Sequence, residues 1–193
     1  KGPIIYWMSR DQRVKDNWAL IHSTELAKKI NSYVIVVFCL VPEFLDASLR
    51  QYKFMIEGLR AVEKNLNKKN IPFELILGNP TKKIPKYLKN VNAKCLIADF
   101  SPLNIKKKWS SEIKQKINVA FHEVDAHNIV PCWIASDKQE YAAYTIRKKI
   151  NSKLPEFLDD FPVLENQVTK SKNNKVNWSK IYNSLLVNKK VKE

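Results

Sequence analysis

Five short apolar runs, each followed by an amphipathic stretch, constrain the fold of this chain more than any other feature. They are residues 3–8 (PIIYWM), 33–40 (YVIVVFCL), 73–77 (FELIL), 95–99 (CLIAD) and 119–124 (VAFHEV). Several are near-continuous Val, Ile and Leu rather than alternating, the pattern of strands covered on both faces. The stretches between them repeat apolar residues at three-and-four spacing. Tyr52, Met55, Ile56, Leu59, Val62 and Leu66 form one stripe. Ile84, Tyr87, Leu88 and Val91 form a shorter one, with Asn79 as its cap and Pro80 in its first turn. Ile105, Trp109, Ile113 and Ile117 line another. The spacing predicts a first helix over residues 16–30, with Leu20, Ala27 and Ile30 on one side and Trp18 and Ile21 on another. Strand alternating with helix five times predicts an α/β fold: a doubly wound, five-stranded parallel sheet with helices on both faces.

Ligands of such sheets bind beyond the carboxyl ends of the strands, where the strand order reverses. Those ends are Ser9-Arg10-Asp11, Val41-Pro42-Glu43, Gly78-Asn79 and Asp99-Phe100-Ser101-Pro102. A dinucleotide site needs glycines after the first strand, so that backbone approaches a pyrophosphate. Ser9-Arg10-Asp11-Gln12-Arg13 stands there instead, and no Walker loop occurs.

With 193 residues there is room for one large or two small domains. A 45% hydrophobic and 27% charged composition excludes wholesale disorder. No apolar run approaches the roughly 18–20 residues of a membrane helix. Lys1-Gly2-Pro3 leads straight into the first apolar run, with no signal-peptide shape and no initiator Met, so the chain reads as a processed piece or a fragment. Cys39, Cys95 and Cys132 lack metal spacing and are odd in number, which points to small buried hydrophobes in a reducing intracellular compartment, cytoplasmic or nuclear. Lys and Arg total 34 against 19 Asp and Glu, a net +15 that favours polyanion partners. Only Arg10, Arg13, Arg50, Arg60 and Arg147 are arginines, so the excess is Lys carried on helix faces and in the tail.

From about residue 128 the pattern changes. Residues 136–140 read as a turn and helix start and 141–150 as helix; residues 154–162 are acidic and proline-punctuated, a connecting segment. Trp178, Ile181, Tyr182, Leu185 and Leu186 form a short amphipathic stretch that needs a surface to dock on. His22, His122 and His127 make no metal spacing, and no nucleophile sits beside a base. Asp125-Ala126-His127 at a strand end reads chiefly as loop hydrogen bonding. The residues alone describe a basic α/β domain with no self-contained catalytic set.

Two stretches carry a specific resemblance. Residues 6–20 (YWMSRDQRVKDNWAL), and residues 124–133 (VDAHNIVPCW) followed by 135–143 (ASDKQEYAA), resemble the opening and closing signatures of the N-terminal domain of class II cyclobutane pyrimidine dimer photolyases. Residues 175–178 (KVNW), with the helix after them, resemble that family's interdomain linker. Tyr144 and Lys148 depart from the family pattern. The resemblance implies a photolyase-type domain over residues 1–150 and a linker over 151–193. It also implies a further helical domain that holds FAD and splits pyrimidine dimers in DNA by light-driven electron transfer. The partners are then that helical domain and damaged DNA. A chain ending at Glu193 is expected to be inactive in repair, without a catalytic residue or metal of its own. What this domain is expected to hold is an antenna chromophore of the 8-hydroxy-5-deazaflavin type, in the loops after strands one, two and four. The topology picks Met8, Ser9, Arg10, Asp11, Phe38, Cys39, Leu40, Asp99 and Ser101 for that pocket. The polar groups between Ser9 and Asp16 equally suit a structural tie between strand one and helix one. Two other readings stand beside this one: a stand-alone small-molecule or nucleotide carrier, and a nucleic-acid binder using Lys170, Lys172, Lys175, Lys189, Lys190 and Lys192.

Overall fold

The computed structural model describes residues 2–168 and 175–187. The apolar runs form β1 (Ile4–Met8), β2 (Val34–Leu40), β3 (Phe73–Leu77), β4 (Cys95–Asp99) and β5 (Ala120–Val124). All neighbours pair in parallel, in the order β3-β2-β1-β4-β5. The three inner strands are buried along their whole length, while the edge strands are only partly covered. This explains why the inner runs lack alternation: both of their faces are packed.

Among the described residues four helices alternate with the strands, α1 (Trp18–Lys29), α2 (Leu49–Lys68), α3 (Pro80–Asn90) and α4 (Asn104–Lys114), and three helical segments come after β5: α5 (Cys132–Ala135), α6 (Ala143–Phe157) and α7 (Trp178–Asn183). Side chains of β1 alternate between two cores, as strand geometry demands. Ile4, Tyr6 and Met8 pack with α1, α2 and α7. Ile5 and Trp7 pack with Ile84 and Leu88 of α3 and Trp109 and Ile113 of α4. The helical stripes read from the sequence are the buried faces, with one exception. Ile30 is not on the core side: α1 starts at Trp18, capped by Asn17, ends at Lys29, and leaves Ile30 exposed.

The chain has three glycines, and its helix ends use asparagine instead. Asn31, Asn70 and Asn92 follow α1, α2 and α3 at φ 53°, 58° and 50°. The short Asn side chain tolerates this left-handed conformation, which closes a helix. Two prolines lie inside helices. Pro85 of α3 has no N–H for the Thr81 carbonyl, and Lys116 Nζ donates to that oxygen instead at 3.3 Å. Pro155 lies in the last turn of α6, so the segment expected to be a connection from residue 154 is helical through Phe157.

The C-terminal stripe docks on the body as expected. Trp178 stacks on Phe73 with centroids 6.3 Å apart and receives Arg60 over its ring at 5.8 Å. Its indole N–H donates to Glu63 Oε2 at 2.7 Å. Ile181 and Leu185 are buried, and only Leu186 of the stripe points away. Upstream, Gln167 bonds the backbone of Val34 and Lys69, lashing this segment to the start of β2. Of the tail lysines, Lys175 is exposed; Lys170, Lys172, Lys189, Lys190 and Lys192 lie outside the described residues.

Candidate ligand site at the switch point of the sheet

The strand order reverses between β1 and β4, and a buried carboxylate pins their ends together. Asp99, 4% exposed, closes β4. Its Oδ2 accepts the backbone N–H groups of Ser9, Arg10 and Asp11 at 2.8, 2.7 and 3.0 Å. Its Oδ1 accepts the Tyr6 hydroxyl at 2.7 Å. Burial pushes the Asp99 carboxyl above the usual range, and these four hydrogen bonds pull it partly back. Burial, followed by the charge of Asp99, holds the Tyr6 phenol well above its ordinary value.

Asn17 extends the knot. Its amide donates to the Tyr6 oxygen and to the carbonyls of Asp11 and Arg13 at 3.0, 3.1 and 3.0 Å. Its Oδ1 caps α1 through Leu20 N–H. Much of the Ser9–Asn17 motif is therefore scaffold, the structural tie foreseen for it. Asp11 is also buried, with Oδ1 3.3 Å from His127 Nδ1 and 3.5 Å from Arg13 Nη2. Asp125 accepts from Asn128 Nδ2 and the Cys132 N–H. Burial alone would raise its carboxyl, but these bonds outweigh burial and lower it. Asp125 and His127 thus hold loops, each in a different direction.

Above the clamp lies a cavity of about 460 Å³, in the range of small-molecule sites. Its floor is the carboxyl ends of β1, β2 and β4. Phe38, Leu40, Val41, Phe44, Ala47, Met55, Leu103 and Trp109 supply apolar walls. Ser9, Arg10, Gln12, Gln51, Tyr52, Ser101 and Lys106 supply polar points. Six of the nine residues chosen from topology meet here: Ser9, Arg10, Phe38, Cys39, Leu40 and Ser101. Met8, Asp11 and Asp99 do not line it. Met8 is fully buried in the core, and the two carboxylates are turned to loops.

The lining of this cavity includes a thiol and an ammonium group, Cys39 and Lys106. Burial pushes the Cys39 thiol up to about 12, and Sγ lies 3.3 Å from the Gly78 carbonyl. A neutral thiol is a poor nucleophile. Lys106 Nζ lies over Trp109 at 4.8 Å and Phe44 at 5.4 Å. Burial lowers its pKa, and Asp99 and Cys39 act in the opposite sense. Among the described residues no group of three or more His, Cys, Asp or Glu is placed to hold a metal ion, and no helix is long and apolar enough to cross a membrane.

A second, wider cavity of about 710 Å³ lies at the opposite flank, between α1, β5 and the end of α6. Its wall holds a pair absent from sequence reasoning: His22 Nε2 faces His122 Nδ1 at 2.9 Å. Burial lowers the His22 pKa, His122 lowers it further, and Glu25 opposes both. The third cysteine, Cys132, is exposed near this flank rather than buried as expected.

The family model for DNA photolyase matches residues 4–166. The chain belongs to the DNA photolyase family. A deoxyribodipyrimidine photo-lyase from Arabidopsis thaliana is 49% identical over 166 residues, 85% of this chain and 34% of that protein. One from Potorous tridactylus is 44% identical over 193 residues, 98% of this chain and 36% of that protein. The chain thus spans about a third of the length of these relatives. Among solved structures, it superposes on an archaeal photolyase from Sulfolobus tokodaii with TM-score 0.65 at 18% identity, over 78% of this chain and 35% of that one. That structure is described as holding two FAD molecules, with the implication of a novel light-harvesting cofactor. At this identity the likeness speaks for the fold.

Sequence reasoning about this photolyase-family domain missed the walls that helices contribute. Ala47, Gln51, Tyr52 and Met55 come from the entry to α2 and its first turns, and Lys106 and Trp109 from those of α4. The available signal was positional. A helix following a strand in a βαβ unit begins at the carboxyl end of the sheet, so its first turns border any site there.

Proposed function

We propose that this chain is the N-terminal α/β domain of a class II deoxyribodipyrimidine photolyase. Its role is to hold a flat heteroaromatic antenna, a deazaflavin of the 8-hydroxy-5-deazaflavin type, in the cavity at the carboxyl ends of β1, β2 and β4. The observation that carries this reading is the cavity itself. It is apolar-walled, about 460 Å³, and edged by a few polar groups. When bound, an antenna supplies light absorption and passes its excitation to the redox flavin. This chain's residues bind and orient: Phe38, Phe44, Met55 and Trp109 enclose an apolar ring system, while Ser9, Gln12, Gln51 and Ser101 offer hydrogen bonds at its edge. Arg10 and Lys106 favour an anionic substituent.

In this reading residues 1–150 form the antenna domain and 151–193 the linker. A helical FAD domain carries out dimer repair on DNA, with the cofactor doing the chemistry and the protein positioning it. The support is the family match together with the one-third coverage of relatives. Ile129, Trp133, Ile134, Tyr141 and Tyr144 are exposed around α5 and the start of α6. Such a concentration of large apolar side chains suits a docking face for that domain.

The test is titration of the 193-residue chain with 8-hydroxy-5-deazaflavin, read by visible absorbance and fluorescence. The expected result is saturable one-to-one binding that Ala47→Trp abolishes while circular dichroism is unchanged. The chain alone should show neither stoichiometric FAD nor dimer repair under blue light. Absence of binding, or binding indifferent to Ala47→Trp, would overturn the cavity assignment.

A further inference from the structure

The positive charge of this chain is concentrated rather than spread. Residues 80–117 hold ten lysines against two acids, Asp99 and Glu112, which is +8 of the chain's +15 in 38 of its 193 residues. A lysine-rich composition by itself would load every helix alike. The other long helices, however, mix their signs: α2 carries Glu57 and Glu63 among its bases, α1 carries Glu25 and α6 carries Glu156. α3 has Lys82, Lys83, Lys86 and Lys89 and no acid at all.

The fold assembles these lysines into one surface. α3 and α4 lie side by side on the same face of the sheet, where Ile84, Leu88, Trp109 and Ile113 share one core cluster. Their opposite sides face water. Lys82, Lys83, Lys86, Lys89, Lys107 and Lys108 are exposed, and among the described residues none of them is in an ion pair. The two acids do little to offset them. Asp99 is buried and bonded to the β1 loop, and Glu112 faces Lys116 at 3.7 Å. Lys116 also ties the end of α4 to the Thr81 carbonyl freed by Pro85, so the two helices are fixed relative to each other. An 11-residue helix is about 16 Å long, which matches the axial length of about five base pairs of duplex.

We propose that the α3–α4 face is a contact surface for the phosphate backbone of duplex DNA that does not depend on a lesion. It is separate from the antenna cavity and from the tail lysines. Charge complementarity selects the partner class: a face of exposed lysines whose one acid, Glu112, is paired with Lys116 matches a regular polyanion. Stable seating on a lipid surface takes an apolar anchor beside the basic patch. Among the described residues no exposed large hydrophobic lies within α3 or α4, and Leu103, at the N-cap of α4, stands alone beside them. The same absence separates this face from the apolar one assigned to the helical domain.

The experiment uses the whole 193-residue chain and a short, labelled, undamaged duplex, with anisotropy read between about 50 and 200 mM salt. Binding is expected to weaken with salt, and to be the same for a duplex carrying a thymine dimer. Replacing Lys86, Lys89, Lys107 and Lys108 by Gln together should weaken it at least about tenfold and flatten the log–log salt slope by about three to four. A charge-matched variant with Gln at Lys15, Lys29, Lys64 and Lys68 should stay within about twofold of the parent. Circular dichroism of both variants shows that the fold is kept. The proposal is overturned if the parent does not bind duplex near 50 mM salt, or if the charge-matched variant loses as much as the α3–α4 variant. It is also overturned if polyglutamate displaces the duplex as well as unlabelled DNA does.

Discussion

Asp99 shows how far a single residue type constrains a loop. One carboxylate oxygen receives three consecutive backbone N–H groups, an arrangement that only an acceptor without its own protons serves fully. Asp99→Ala leaves those donors and the Tyr6 hydroxyl without their partner, so a loss of about 3 kcal/mol is expected in urea unfolding. Asp99→Asn should fall between the two, because its amide presents hydrogens where the oxygen accepted. The site was partly legible in these residues for a plain reason. Topology places the ends of β1, β2 and β4 together, but the chain does not announce whether a polar side chain there faces ligand or backbone. Ser9, Arg10 and Ser101 border the cavity, whereas Asp11 and Asp99, of similar polarity, turn inward. The His22–His122 pair was illegible because its members lie 100 positions apart and meet only through the sheet. His22 has a lowered folded pKa, so the unfolded chain takes a proton near the ordinary value of 6.5 while the folded chain resists it. Stability is then full above that value and falls as pH drops toward the folded pKa. The urea midpoint should decline between about pH 7 and 5.5, and His22→Gln should flatten that decline.

At the scale of elements, the sequence was most legible where periodicity and caps agree. Asn79 and Pro80 open α3 as their chemistry requires, and the stripe from Tyr52 to Leu66 is the buried side of α2. Met55 is the instructive member of that stripe: it is spaced as core, yet it lines the cavity. Pattern alone does not separate a core wall from a pocket wall, since both are apolar. The continuation of α6 past Leu154 was hidden because a proline near a helix end removes only one hydrogen bond, while in sequence it looks like a stop. The short α7 would not stand alone in water and depends on docking. Trp178→Ala removes the stack on Phe73, the Arg60 contact and the bond to Glu63. It should cost about 2–3 kcal/mol, measured by denaturant unfolding, and speed proteolysis between residues 176 and 187.

At the scale of the molecule, the two faces of the sheet have different tasks. One carries α1, α2 and α7, and with them the return of the chain along the body; the other carries α3 and α4 and turns the lysine-rich side to solvent. The cavity lies between the two layers, over the ends of the strands, so it draws walls from both α2 and α4. The strand order also governs how the chain is born. β1 leaves the ribosome before the other four strands yet belongs in the middle, and the strand on its second flank follows far behind: Ile4 pairs with Cys95, 91 positions on. At synthesis rates of about 5–20 residues per second, one apolar edge stays open for roughly 5–20 s. Asp99, which sets the loop after β1, arrives at the close of that interval. Until then β1–β3 carry an unpaired strand edge, and slowing translation across the β3–β4 crossover should lengthen the exposure of that edge to chaperones and to aggregation alike.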